Sequence, residues 1–348
     1  MFKTLKDFSV TNKRILVRCD FNVPVDENGK ILNDFRIRQT LPTIKYLLEE
    51  KAKIILMSHL DPESTGVADK KYNLNKVAQA LSGLLGVAIA KADDCVGPEV
   101  EGLSNSMERG NILLLENLRF HKEEKDNDPE FAKKLSYLAD IYANDAFSVC
   151  HRDQASVTGV PKLVVDRCAG LLLEKEILSL ERVIKNPEKP MVALIGGTKV
   201  ETKSKLIDKI SEVADFVIIS GLIAKEIKEK NLQFLHPEKI VAPTDSLDAL
   251  DIDQKTINMF CEKISTARTV LWNGPFGRFE DEKHNKGTLS LAKAIVKSGA
   301  YSLVGGGETV EFLEKQGILN QFSHVSTGGG AMLAYLSGET LPGLEALK

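Results

Sequence analysis

The chain has few cysteines, and they are scattered. Cys19, Cys95, Cys150, Cys168 and Cys261 are odd in number and lack CxxC spacing. They read as reduced thiols of a cytoplasmic protein, not as disulfide staples or metal ligands. Cys150 beside His151 makes no nucleophile pair, because adjacent side chains rarely face each other; a small buried residue is the plainer reading. No apolar run approaches the roughly 20 residues of a membrane helix. The opening Met1-Phe2-Lys3-Thr4-Leu5-Lys6-Asp7 lacks the apolar core of a secretion signal. An excess of one charge is missing too, since 46 Lys and Arg face 49 Asp and Glu, a formal net of −3. That argues against nucleic acid or a membrane as partner, and any anion site must be a local cluster. A Walker A loop is absent. His151-Arg152-Asp153 looks like a protein-kinase catalytic loop, but position 158 is threonine, and Asp20-Phe21 is followed by Asn22. No motif supports dinucleotide chemistry or a Ser–His–Asp hydrolase. His59, His151 and His324 read as ligand contacts or satisfied polar residues.

What is present is regular alternation. The 348 residues, 43% apolar, are comfortable for two domains. Strands are expected at Arg14–Arg18, Lys53–Met57, Ile112–Glu116 and Ile141–Ala143, then at Met191–Ile195, Phe216–Ser220, Thr269–Trp272 and Ser302–Val304. Helices are expected between them, including Arg36–Lys51 with Pro42 as an interruption, Asn75–Leu85, Pro129–Leu138, Ser204–Glu212, Lys255–Thr266, Leu289–Ser298 and Val310–Gln316. Such alternation predicts an α/β fold with parallel sheets covered by helices. The amphipathic stretch Gly170–Ile184 lies between the two strand series and is the candidate interdomain helix. Pro243 to Asp253 reads as an acidic loop.

In doubly wound folds, ligands sit beyond the carboxyl ends of the strands. In the first half those ends carry Arg18, Asp20, Asn22, Ser58, His59, Asn117, Arg119, Asn144 and Asp145, followed by His151 and Arg152. Arg36 and Arg38 open the first helix. Arginine forks match phosphate and carboxylate; one alone would be a solvated charge, but the convergence points to a phosphorylated, carboxylate-bearing ligand. The second half offers Gly196-Gly197, Lys199, Lys203, Asn273, Pro275 and Glu280. Two glycine runs follow, Gly305-Gly306-Gly307-Glu308-Thr309 and Ser326-Thr327-Gly328-Gly329-Gly330, each after an apolar run. Bare backbone amides before a helix suit phosphate oxygens. Two unlike anion sites point to phosphoryl transfer between a metabolite and a nucleotide.

The residues then resemble a known family over nearly the whole chain. The blocks Arg18-Cys-Asp-Phe-Asn-Val-Pro24, Asn33-Asp-Phe-Arg-Ile-Arg38, Leu56-Met-Ser-His-Leu60 and Leu115-Glu-Asn-Leu-Arg-Phe-His121 are followed by Asn144-Asp-Ala-Phe147, His151-Arg152 and Ala169-Gly-Leu-Leu-Leu-Glu-Lys175. Gly196-Gly-Thr-Lys-Val200, Trp272-Asn-Gly-Pro275, the Gly305–Thr309 run and Ser323-His-Val-Ser-Thr-Gly-Gly-Gly-Ala331 complete the series. In order, they resemble phosphoglycerate kinase. The resemblance implies two Rossmann-like three-layer lobes joined by a hinge helix: 1–168 binding phosphoglycerate, 169–185 the interdomain helix, 186–330 binding nucleotide, and 331–348 returning to the first lobe. It implies a cytoplasmic, monomeric glycolytic enzyme using ATP/ADP and Mg²⁺ on 3-phosphoglycerate. By motif, Asp20, Asn22, Arg36, His59, Arg119 and Arg152 would bind phosphoglycerate. Arg36 and Lys199, with the amides of Gly328, Gly329 and Gly330, would surround the moving phosphoryl group. Lys199, Lys203, Asn273, Pro275, Glu280, Gly305, Gly306, Gly307, Glu308 and Thr309 would line the nucleotide side, with Glu308 as metal ligand.

The sequence departs from the family pattern in places. Asp61 and Pro62 follow Ser-His-Leu where the family has Gly-Arg-Pro, and Glu308 replaces an aspartate. Ser220-Gly221-Leu222 stands for three glycines, and Asp253-Gln254 for Gly-Pro. The chain is several tens of residues short, mainly between Gly221 and Leu250, where the family builds part of the adenine pocket. Loosened base selectivity is expected. A weakly catalytic relative that only binds metabolite or nucleotide is the alternative; retention of Arg36, Lys199, Lys203 and the last glycine run argues for the enzyme.

Overall fold

The computed structural model describes residues 2–61, 66–197, 203–244 and 247–348. Pro62 and Lys199, both singled out above, lie outside the described residues. The chain forms two compact units, Met1–Glu176 with Thr340–Lys348, and Ile177–Glu339.

The first unit holds β1 (Arg14–Arg18), β2 (Lys53–Met57), β3 (Ala90–Lys91), β4 (Ile112–Leu114), β5 (Ile141–Asn144) and β6 (Arg167–Ala169). They form one parallel sheet in the order β3-β4-β2-β1-β5-β6. The second holds β7 (Met191–Ile195), β8 (Phe216–Ile219), β9 (Ile240–Val241), β10 (Thr269–Asn273), β11 (Tyr301–Gly305) and β12 (His324–Val325). They form a second parallel sheet, β12-β11-β10-β7-β8-β9. The unbroken apolar runs of β1, β2 and β7 follow from burial on both faces: Leu16, Ile55 and Ala193 are as buried as their neighbours.

Strand order reverses between β1 and β5 in one sheet, and between β7 and β10 in the other. A crevice opens at such a switch point, beyond the carboxyl ends. Both candidate clusters sit there.

One expectation fails at Pro42. The helix Phe35–Glu49 runs through it unbroken. Proline deletes one backbone bond, but Ile37, Ile44 and Leu47 are locked into the core on either side and hold the flanking turns. Short edge elements were invisible to periodicity: β3 and β9 are two residues each. The helices Pro98–Ser106 and Gly221–Glu229 were also not foreseen.

The helix Leu171–Lys185 contains the division between units. Asp145 Oδ1 accepts from Leu172 N at 2.9 Å and so caps its start. A Cβ at Gly170 would lie 2.1 Å from that oxygen, so any side chain there would displace Asp145 from its capping position. Near the carboxyl end, Ala331–Leu336 belong to the helix Gly329–Leu336 of the second unit. The chain rejoins the first unit at Thr340, where Gly343 N donates to Cys150 O at 2.9 Å.

Candidate active site

In the first unit, side chains from four strand ends gather around His59. Asp20, just past β1, takes Arg36 Nη1 at 3.0 Å on Oδ2, and the same guanidinium donates to Asn22 O at 3.1 Å. Ser148, from beyond β5, donates to Asp20 Oδ2 across the switch point. Asn22 Oδ1 accepts from Asp61 N at 2.9 Å. Asp61 sits at φ +63°, the left-handed region that glycine favours and aspartate tolerates. The family's glycine at this position therefore has a backbone reason, which Asp61 still satisfies.

His59 follows β2, and its Nδ1 lies 3.2 Å from Arg18 Nη2. Asn117 bonds Leu60 in both directions, at 3.2 and 2.9 Å, and caps Arg119 N at 3.0 Å. That fixes the tight turn carrying Arg119, whose Nη2 donates to Gln154 Oε1 at 3.3 Å. Burial first, then the charges of Arg18, Arg119, Arg152 and Arg36, hold the imidazole of His59 well below its ordinary value. It is neutral at pH 7. Burial and its fellow cations also lower Arg119, to about 10, and Arg152. So much positive charge on buried groups is self-repelling without an anion. A ligand with several negative oxygens relieves that repulsion. Asp20, Asn22, Arg36, His59, Arg119 and Arg152 are thus brought together. Arg38 is not: its Nε pairs with Asp34 Oδ1 at 2.8 Å on the exposed helix face.

In the second unit the switch point is built from backbone. Gly196 N donates to Asn273 O at 2.8 Å and Gly197 N to Pro275 O at 2.9 Å. The loops after β7 and β10 press so closely that a Cβ on Gly274 would lie 2.2 Å from Gly196 O. Lys203 Nζ donates to Gly196 O inside this crossing. Burial pushes Lys203 down to about 8, with the Glu308 carboxylate opposing the shift. Thr309 Oγ1 accepts from Gly274 N at 3.0 Å, and Asn273 Nδ2 donates to Gly305 O at 3.2 Å.

Two helices start beside each other here. Gly306, at φ +101°, precedes Gly307–Lys315, and Gly328 precedes Gly329–Leu336. A Cβ on Gly329 would stand 3.3 Å from Gly306 Cα. Two amino-terminal helix ends at that separation offer several free N–H groups and two dipoles to one anion. Glu308 is exposed in the first turn of its helix, and Glu280 lies in an exposed turn.

The family model for phosphoglycerate kinase matches residues 5–233 and 223–339. The phosphoglycerate kinase of Koribacter versatilis is 40% identical over 398 aligned positions, spanning 99% of this chain and 98% of that one. The one from Moorella thermoacetica is 41% identical with the same coverage. The solved structure of phosphoglycerate kinase from Pyrococcus horikoshii superposes with a TM-score of 0.86 at 32% identity, covering 100% of this chain and 98% of that one. That from Coxiella burnetii gives 0.83 at 34%, with 100% and 99% covered.

This chain belongs to the phosphoglycerate kinase family. It is a phosphotransferase with a carboxyl group as acceptor. The reaction moves a phosphoryl group reversibly between ATP and 3-phosphoglycerate, giving ADP and 1,3-bisphosphoglycerate, in glycolysis. The relatives are longer than this chain, and the two matched stretches meet at 223–233, inside the segment read as shortened. Among the described residues no helix is long and apolar enough to cross a membrane.

Some residues were not found by sequence reasoning. Glu124 and Ser156 underlie Arg18 in the first cluster. Glu124 stands in the run Lys122-Glu123-Glu124-Lys125, where nothing marks it from its neighbour; only Glu124 is buried. The kinase-like His151-Arg152-Asp153 has a plain explanation. Asp153 Oδ1 accepts from Asn127 Nδ2 at 2.8 Å and from Thr158 Oγ1, which ties loops together.

Proposed function

We propose that the first unit binds 3-phosphoglycerate through Asp20, Asn22, Arg36, His59, Arg119 and Arg152, while the second binds ATP or ADP through Lys203, Asn273, Pro275, Glu280 and the run Gly305–Thr309. The reading rests chiefly on one observation: Arg18 lies 3.2 Å from His59 Nδ1, Arg36 is clamped by Asp20 and Arg119 is held by Gln154, all beyond the strand ends at one switch point. The paired glycine-led helix ends at the other support the nucleotide half. Arg36, Lys199 and the amides of Gly328–Gly330 would neutralise the phosphoryl group in flight, where positioning and charge stabilisation carry most of catalysis. The proposed lobes 1–168 and 186–330, linked by 169–185, draw support from the division into two compact units, although 331–339 belong to the second unit and the return to the first begins at Thr340.

Magnesium fits the second unit. Mg²⁺ commonly takes one or two carboxylates together with phosphate oxygens, and Glu308 offers one exposed carboxylate in the first turn of a glycine-led helix. Bound there, the ion would neutralise charge on the nucleotide phosphates. We further propose a cytoplasmic monomer without nucleic-acid or membrane partners; the net charge of −3 supports the lack of general affinity for nucleic acid or anionic membranes.

Calorimetry with each ligand tests the assignment. Arg152→Ala should weaken 3-phosphoglycerate by roughly 10- to 100-fold, the scale of a lost charged hydrogen bond, and leave Mg-ADP within twofold. Lys203→Ala should do the reverse. The opposite pattern overturns the division.

A further inference from the structure

Beneath the arginine cluster lies a chain of buried polar groups. Glu124, Ser156, Arg18 and His59 are each no more than 2% exposed. Glu124 Oε2 accepts from Ser156 N at 2.9 Å and Oε1 from Ser156 Oγ at 2.5 Å. Arg18 Nε donates to Ser156 Oγ at 2.8 Å. Arg18 Nη1 donates to Cys19 O, and Nη2 lies 3.2 Å from His59 Nδ1. Tyr142 Oη donates to Ser156 O at 2.8 Å and pins that residue from the other side.

The direction of every bond is fixed by chemistry. A guanidinium has donors and no acceptor. Ser156 Oγ must therefore accept from Arg18, which leaves its own proton for Glu124. By the same rule His59 Nδ1 must be the acceptor, so it carries no proton. The neutral ring then bears its hydrogen on Nε2.

We propose that Glu124, Ser156 and Arg18 form a positioning relay that fixes His59 as its Nε2–H tautomer, making it a neutral hydrogen-bond donor to an anionic oxygen of phosphoglycerate. The relay rests on the reading of this unit as the phosphoglycerate site. Its chemical sense is selectivity. Four arginines supply charge without discrimination, whereas a ring whose single proton faces one way rewards an oxygen at one position. Glu124 supplies the counter-charge that keeps Arg18 aimed at the ring instead of at the anion. Arg18 is then a scaffold for the donor, and the guanidiniums of Arg36, Arg119 and Arg152 remain for the ligand.

The test is ¹⁵N spectroscopy of the histidine rings in the full chain, with His59→Gln assigning the signal. In the free protein His59 should show a bare Nδ1 and a protonated Nε2, unchanged from pH 6 to 8. An Nδ1–H tautomer or an imidazolium at pH 7 overturns the relay, with or without ligand. Failure of 3-phosphoglycerate to bind at all would instead overturn the site reading and leave the tautomer measurement standing. In Ser156→Ala, the ring should become a tautomer mixture, and KM for 3-phosphoglycerate should rise about tenfold with nucleotide KM unchanged, the loss of one well-placed donor. Ser156→Thr restores the hydroxyl and should recover most of that loss. Glu124→Gln should move the ring spectrum in the same direction if Ser156→Ala proves too unstable. A wild-type spectrum in both variants means the relay does not position His59.

Discussion

Arg36 and Arg38 are two positions apart on one helix and meet different worlds. Arg36 is clamped by Asp20 within the cluster, and Arg38 pairs with Asp34 at the surface. Arg36→Ala should therefore lower kcat by roughly 10²–10³, as for other lost transition-state donors. Arg38→Ala should cost only the ~0.3–0.5 kcal/mol of an exposed helix pair. Steady-state kinetics of both variants decide it, and greater damage from Arg38→Ala would refute the register. Asp61 gives a second test. Its carboxylate acts on Arg119, raising its affinity for protons and opposing an incoming anion. Asn tolerates the same left-handed backbone, so Asp61→Asn removes only the charge. It should lower KM for 3-phosphoglycerate by about two- to fivefold, the scale of a modest interaction between partly exposed charges; an increase in KM would show the carboxylate helps binding. Lys203 sets a pH limit. Burial brings it to about 8, so it is charged below that pH and neutral above. If its charge holds nucleotide phosphate, kcat/KM for nucleotide falls above pH 8. In the complex, bound phosphate favours the charged form and moves the kcat limb to higher pH. Coincident limbs in the two profiles would exclude Lys203 as the group responsible.

Elements differed sharply in how readable they were. Arg14–Arg18, Lys53–Met57 and Met191–Ile195 carry apolar runs of three to five residues at the centre of their sheets, and burial on both faces writes itself into composition. Ala90–Lys91 and Ile240–Val241 are edge strands defined by pairing with a neighbour, which no local pattern records. The clustering that makes the candidate site was legible where chemistry is carried by residue type at strand ends, as in Asp20, His59, Arg119 and the glycine runs. It was illegible where burial converts an ordinary surface residue into a scaffold, as in Glu124. Gly196 and Gly274 show the backbone side of the same point, because their loops cross where no Cβ fits. The helix after β8 bears on specificity. It spans only Gly221–Glu229 and leads into a two-residue edge strand, in the segment that is short relative to the family. A pocket with less wall around the base and intact phosphate loops should separate ATP from GTP poorly. The ratio of their kcat/KM values should fall within about tenfold, since a few lost apolar or hydrogen-bond contacts span roughly that range; a strong preference for ATP would show that other residues supply the wall.

At the scale of the whole molecule, two sheets with separate cores imply two opening equilibria. Each unit carries its own candidate site at its own switch point. A ligand that binds only the native form stabilises what it touches by RT ln(1 + [L]/Kd), about 2.7 kcal/mol at a hundredfold excess over Kd. Hydrogen exchange should therefore sort the two ligands by unit. Saturating 3-phosphoglycerate should slow amides of β1, β2 and β5, and of the turns holding His59 and Arg119. Mg-ADP should slow those of β7, β10 and β11, together with the helix starts at Gly307 and Gly329. Where exchange requires opening of the unit, the slowing should approach a hundredfold. The variants separate cause from coincidence: at the same ligand concentration Arg152→Ala should cut the first pattern to roughly two- to tenfold slowing and leave the second, and Lys203→Ala the reverse. Protection by 3-phosphoglycerate chiefly in the second sheet, or by nucleotide chiefly in the first, would contradict the assignment of each substrate to its unit.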